Sequence, residues 1–411
     1  MTAYLRKTVV AAACVAVLAA AAGVSDASAR GRSSGAPPEA ACTGISTTDE
    51  TGRRSTPAGL IRNCVRLNQI QVMGTHNSYR LDATEQILAV LRTFDPAEAE
   101  ALDYRHAPLP EQFDDQAIRQ IELDVFADPD GGRYADRVAL EFLGLSDEPA
   151  PELFEPGFKV LHIQEIDFNS TCLTFVACLT EVEAWSDTNP GHLPIAVLVE
   201  MKQETIPDPF NLGFVEPLPF GSAELDALDA EIRTVFDDHD VITPDHVRGD
   251  HATLEEAVRS GAWPTLREAR GRILFLMNNR GSVRDDYVEG RPSLQGRVMF
   301  TNSRPGEADA AFVKVDEPRG NEAYIQGLVA DGYVVRTRSD VPTVEARSGD
   351  ATRREAALAS GAQWVSTDYP VPGMSEWSDY VAQVPDGDPA RCNPVNTGPR
   401  CRSGVLERLR R

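Results

Sequence analysis

Short β-branched and apolar runs recur along this chain. Between several of them apolar residues fall at three- and four-residue spacing, and the two periods together predict alternating strands and helices. Strands are expected near 69–74, 119–125, 158–163, 194–201, 271–277, 297–301, 333–337 and 363–367, with 311–316 competing for the sixth place. Helical spacing covers 83–94, 222–236, 321–331 and 351–360, whereas 126–157 and 278–296 are irregular. Eight strands alternating with helices predict an α/β fold, a (β/α)8 barrel of the TIM type. Such a barrel makes a demand on the sequence: chemistry-bearing side chains should gather where strands end, on the face built from the loops that leave them.

The polar residues that break the apolar runs meet this demand. In Ile121-Glu122-Leu123-Asp124-Val125 the two-residue strand period puts both carboxylates on one face. Buried without a partner they would repel and pay heavily for lost hydration, so a cation between them is expected, although bridging arginines would serve as well. Glu200 and Lys202 repeat the spacing at the end of Ile195–Val199 and bring a third carboxylate with an ammonium beside it; a private Glu–Lys pair is the bland alternative. Gly74-Thr75-His76-Asn77-Ser78-Tyr79 ends the first strand on a histidine and an amide, and Phe158–Leu161 leads to His162. Two histidines at strand ends supply a general base and a general acid. Asn77, Glu122, Asp124 and Glu200 form an all-oxygen donor set that suits calcium ahead of magnesium, and either of them better than zinc. His106, His192, His239, His246 and His251 read as surface residues.

The ends set the compartment. Residues 1–29 carry Arg6 and Lys7, an apolar stretch from Val9 to Val24 and a closing Ala27-Ser28-Ala29, the layout of a secretory signal peptide. Residues 30–60 read as a loose arm, 61–383 as the barrel and 384–411 as a tail. Cys14 goes with the signal, and the remaining six cysteines favour disulfides in an exported chain, most simply 42–64, 172–178 and 392–401 among 15 connectivities. The formal net charge is −23; the signal removes Arg6, Lys7 and Asp26, one net positive charge, and leaves −24. That balance argues against nucleic acid or an anionic membrane as a static partner. No later segment is long enough to span a membrane. A secreted monomer that touches a membrane surface only transiently fits these features.

Taken together, GTHNSY at 74–79, ELD at 122–124, VLH at 160–162 and VEMK at 199–202 resemble the calcium-dependent phosphoinositide-specific phospholipase C family in its secreted bacterial branch. Trp364-Val365-Ser366-Thr367-Asp368-Tyr369-Pro370 resembles the last strand of the wider group of barrel phosphodiesterases, and the likeness runs from about residue 65 to 370. It implies that His76 and His162 are the catalytic histidines and that Asn77, Glu122, Asp124 and Glu200 hold calcium. Lys202, Lys314, Arg336 and Asp368 are then candidates for contact with a phospholipid substrate, with salt-bridge roles open for Lys314 and Arg336. Where eukaryotic relatives carry phosphate-binding lysines this chain has Asn278 and Asn279, which favours phosphatidylinositol over its phosphorylated forms. Phe210, Phe214 and Phe220, in a loop with four prolines between 207 and 220, could meet a lipid surface or pack under a rigid loop. The rivals are a glycerophosphodiester phosphodiesterase, a D-type phospholipase, or a barrel that only binds phospholipid headgroups. The first two usually begin with a His-Arg pair, where this chain has His76-Asn77.

Overall fold

Ile195–Met201 becomes a central strand because a parallel strand covered on both faces can be apolar throughout. In the computed structural model, which describes residues 64–398 and 401–407, it is one of eight parallel strands in a nearly closed barrel. In chain order the strands are β1 (Ile70–Thr75), β2 (Gln120–Phe126), β3 (Lys159–Val160), β4 (Ile195–Met201), β5 (Ile273–Met277), β6 (Met299–Phe300), β7 (Phe312–Lys314), β8 (Val334–Arg338), β9 (Trp364–Thr367) and β10 (Ala390–Cys392). Neighbours run β6-β5-β4-β2-β1-β9-β8-β7. A parallel bridge between Asn302 and Phe312 joins the two ends of that path. Helices such as Phe175–Thr188, Ser222–Val235, Glu322–Ala330 and Thr352–Ala359 alternate with the strands.

The expected count of eight holds, with one exchange. Residues 158–163 do not form a barrel strand: β3 is a two-residue piece that folds back antiparallel on β2, Val160 against Val125. Residues 297–301 and 311–316, expected to compete, each contribute a short strand, β6 and β7. A helix not expected, Phe175–Thr188, starts at Thr174, whose side chain accepts the Ala177 N–H. Disulfide 172–178 ties down that helix start, and 392–401 closes the tail beside β10. The signal peptide, the arm and Cys42 of the expected 42–64 pair lie outside the described residues. Among the described residues no helix is long and apolar enough to cross a membrane.

Two features lock the first strand to its neighbours. Gly74 pairs with Gln120 on one side and Ser366 on the other, and a Cβ there would sit 2.0 Å from Gln120 Oε1. Only glycine leaves room for that side chain in the barrel interior. At the strand end Ser78 pairs with Glu122 in both directions: its N–H donates to the Glu122 carbonyl at 2.9 Å, and its hydroxyl accepts the Glu122 N–H at 2.8 Å. The turn bearing His76 and Asn77 is thereby pinned to the strand bearing Glu122 and Asp124.

His192, expected at the surface, is buried, with Nδ1 facing the Leu193 carbonyl at 2.6 Å and Nε2 facing Ser186 Oγ at 2.8 Å. Burial holds it neutral and lowers its pKa to about 4. A pKa depressed below the unfolded value near 6.5 gives stability that is whole above that value and lost as pH falls toward 4. The melting temperature should therefore drop over that window, and less steeply in His192→Gln; parallel pH–melting curves would contradict this.

Candidate active site

The strand register brings the carboxylates together. Asp124 pairs with Glu200 across β2 and β4, and Glu122 lies two residues back on the same face. One oxygen from each of Glu122, Asp124 and Glu200 falls within 4.8 Å of the others. Asn278, following β5, donates to Glu200 and, at 3.4 Å, to Glu122 Oε1, and Arg336 of β8 donates to Glu122 Oε2 at 2.6 Å. Lys202 Nζ stands 3.5 Å from both Asp124 Oδ2 and Glu200 Oε1. Two acceptors remain buried with no hydrogen-bond partner, Asp124 Oδ1 and Asn278 Oδ1. Burial first, and the Glu200 and Glu122 charges after it, push the Asp124 carboxyl well above the usual range despite Lys202. A donor set that is all oxygen, crowded with negative charge and short of donors fits a hard divalent cation.

Each expected histidine has a carboxylate behind it. His76 Nδ1 lies 3.2 Å from Asp368 Oδ1, and Asp368 is fully buried and accepts from Arg338 at 3.0 Å. Asp368 was a candidate for substrate contact; the structure instead puts it behind His76, sealed from solvent. His106, expected at the surface, is buried with Nε2 2.8 Å from the His76 carbonyl and 3.5 Å from Asp368 Oδ1. His162 reaches the site from the turn after β3, where Ile163 and Asp167 exchange backbone hydrogen bonds, and its Nδ1 lies 2.8 Å from Asp167 Oδ2. Burial lowers the pKa of both histidines, with Arg338 adding to it for His76, and the paired carboxylates offset this only in part. Both rings lie near enough to the cluster that their positive charge, when protonated, helps to lower the Glu200 pKa, after Lys202 and Lys314, against the effect of burial.

Residues 65–394 match the sequence model of the family described as phosphoinositide phospholipase C, Ca2+-dependent. The chain belongs to that family. The protein is thus a calcium-dependent phosphoric diester hydrolase of the phosphoinositide phospholipase C type. A calcium-dependent phosphoinositol-specific phospholipase C from the Gram-negative bacterium Pseudomonas sp. superposes with a TM-score of 0.50 at 16% identity, covering 82% of this chain and 100% of that one. A Ca2+-dependent phosphatidylinositol-specific phospholipase C from Streptomyces antibioticus gives 0.46 at 20% identity, covering 74% and 95%. The first establishes the shared barrel. No curated protein matches the chain.

Within this phospholipase C barrel the other candidates separate. Lys202 sits at the mouth among the carboxylates. Lys314, partly exposed, pairs with Asp316 at 3.3 Å. Arg336 is fully buried, bound to Glu122, Asp316 and Ser366, so it serves as an internal counter-ion to the carboxylates rather than a free substrate contact. Sequence reasoning passed over Tyr104, Asp167, Arg338, Asp340 and Arg80. Of these only Asp167, five residues after His162, and Arg80, four after His76, lay close enough in sequence to be sought.

Proposed function

We propose that the protein cleaves phosphatidylinositol to diacylglycerol and inositol cyclic phosphate, with His76 as base and His162 as acid. The observation that carries this reading is the pair of carboxylate-backed histidines beside one cluster of three carboxylates. Asp368 beside Nδ1 holds a proton there and leaves Nε2 of His76 as the acceptor. The inositol 2-hydroxyl gives its proton to that nitrogen while its oxygen forms a bond to phosphorus. The bond from phosphorus to the diacylglycerol oxygen breaks, and His162, with its proton and ring orientation supported by Asp167, protonates the departing oxygen. Water can then open the cyclic ester with the two roles reversed. Glu122, Asp124, Glu200 and Asn77 would hold calcium, which supplies charge stabilisation at phosphate oxygens. Lys202 adds a cation to the same phosphate, and Lys314 reaches the mouth from β7. Asn278 in place of a lysine favours a ring without further phosphates. Phosphatidylinositol methylated at the 2-hydroxyl tests the intramolecular step: it should bind and stay intact, and its cleavage at the normal rate would overturn the mechanism.

Three phenylalanines support contact with the lipid surface. Phe94, Phe142 and Phe210 are each about half exposed, and the Phe210 ring lies 5.5 Å from Phe94 and 5.2 Å from Phe142. They come from the segments that follow β1, β2 and β4, on the face where the carboxylates end. Phe220 behaves differently: it is buried and stacks on Phe158 at 5.7 Å. Changing Phe94, Phe142 and Phe210 together to serine should cut cleavage of vesicle-bound phosphatidylinositol by about tenfold or more, given the value of aromatic burial. Cleavage of a dispersed short-chain analogue should hold; equal losses on both would remove the lipid-surface role. The signal peptide at 1–29 supports export of the enzyme.

A further inference from the structure

Arg80 lies four residues past His76 and is fully buried. Its guanidinium has three separate attachments. Nε donates to Asp167 Oδ2 at 2.5 Å, one terminal nitrogen donates to the Leu102 carbonyl at 2.5 Å, and the other donates to the Tyr104 carbonyl. The same group lies 4.3 Å from the centre of the Tyr104 ring, a cation–π contact. The Arg80 backbone is tied as well. Its N–H donates to the Asn77 carbonyl at 2.9 Å, and its carbonyl accepts the His106 N–H at 2.9 Å.

Two of the attachments, Asp167 and Tyr104, each lead to one of the two histidines. Asp167 shares its Oδ2 between Arg80 and His162 Nδ1. The Tyr104 hydroxyl accepts from Asn77 Nδ2 at 3.0 Å and lies 3.3 Å from His76 Nδ1. Burial would raise the Asp167 pKa, but Arg80 and His162 outweigh it and hold the carboxyl below its usual value, so the acid stays charged where His162 needs it. A planar group with donors in fixed directions can set both arms at once, which a flexible ammonium cannot.

We propose that Arg80 is a positioning residue that sets the orientation of both His76 and His162, acting on the first through Tyr104 and on the second through Asp167. The inference rests on the assignment of those two histidines as the proton carriers. It makes the two halves of the site one mechanical unit, since a shift of the guanidinium displaces both rings together. A displacement near 1 Å at reacting groups costs on the order of 100-fold in rate.

Arg80→Met would strip the counter-charge from buried Asp167 and endanger the fold, so Arg80→Lys is the working variant. Lysine keeps the charge but cannot reproduce the fork or the ring contact. The nitrogen-15 signals of the two histidine rings are recorded at one fixed pH in the calcium-loaded full-length mature protein, beside kcat and KM on phosphatidylinositol. The expected result is movement of both ring signals, a fall in kcat of about 10- to 100-fold, and a KM changed less than about threefold. Movement of the His162 signal alone would overturn the proposal by confining Arg80 to Asp167. Unmoved signals with a lower melting temperature would overturn it by reducing Arg80 to a structural ion pair. Wild-type protein without phospholipase activity would sink the functional reading instead, while the ring signals would still report whether the coupling exists.

Discussion

Replacing His76 or His162 by alanine should lower kcat on phosphatidylinositol by about 100- to 10,000-fold each, the range for loss of a positioned acid or base. KM should change little, because neither ring is assigned to substrate binding. The double variant should be barely slower than either single one, since a base without an acid, or the reverse, leaves the same step unassisted. Asp368→Asn should reproduce much of the His76→Ala loss with the ring still present. An amide in place of the carboxylate no longer holds a charged acceptor at Nδ1, and the neutral Tyr104 hydroxyl, 3.3 Å away, is a weaker substitute, while His106 and Arg338 both approach Asp368 as donors. A pair of alanine variants that retain headgroup binding and lose only a few-fold in rate would point to a binding protein.

Asp124→Asn carries the second large effect, with two readouts of opposite sign. Without calcium the variant should melt higher than the wild type, because it removes a buried carboxylate whose Oδ1 has no partner and which stands beside two others. With calcium the order should reverse. The wild type gains stability in proportion to ligand binding, and a variant with one charge fewer in its ligand set gains less. Activity at limiting calcium should fall by about 1,000-fold, as expected from loss of a charge-stabilising metal, and recover in part as calcium rises. Equal calcium-induced shifts in melting temperature for both proteins would remove Asp124 from the ligand set.

The sequence made the mouth of the barrel legible because strand periodicity is local. Glu122 and Asp124 on one face, and Glu200 at the end of an apolar run, follow from two-residue alternation alone. That Asp124 faces Glu200 in register follows from strand order, which no local pattern carries. His162 reached the mouth as expected but by a different path, since β3 is too short for its periodicity to distinguish a hairpin from a barrel strand. The same shortness hid that β6 and β7 are both strands. For the helix Phe175–Thr188 the signal was present: Phe175, Cys178, Leu179, Val182 and Trp185 fall at helical spacing and are all buried.

The polar interior was the least legible part. Arg80 and His106 are buried against a carboxylate or backbone carbonyls dozens of residues away, and His192 against the Leu193 carbonyl and Ser186. Asp340 shows the same principle. It accepts the Asp368 N–H and hydroxyls from Ser339, Thr367 and Tyr380, and burial with the neighbouring Asp368 charge pushes its pKa up to about 6. Composition distinguishes such a residue from a surface aspartate no better than it distinguishes His106 from His251.

The central claim is that this barrel makes a cyclic ester by attack of the inositol 2-hydroxyl, with calcium held by its carboxylates. Incubating the mature protein with phosphatidylinositol vesicles, first with calcium and then with excess chelator, and identifying the water-soluble product by phosphorus NMR tests it most directly. The account predicts inositol cyclic phosphate that forms with calcium and ceases with chelator. Phosphatidic acid as the lipid product, or turnover that continues in chelator, would contradict it.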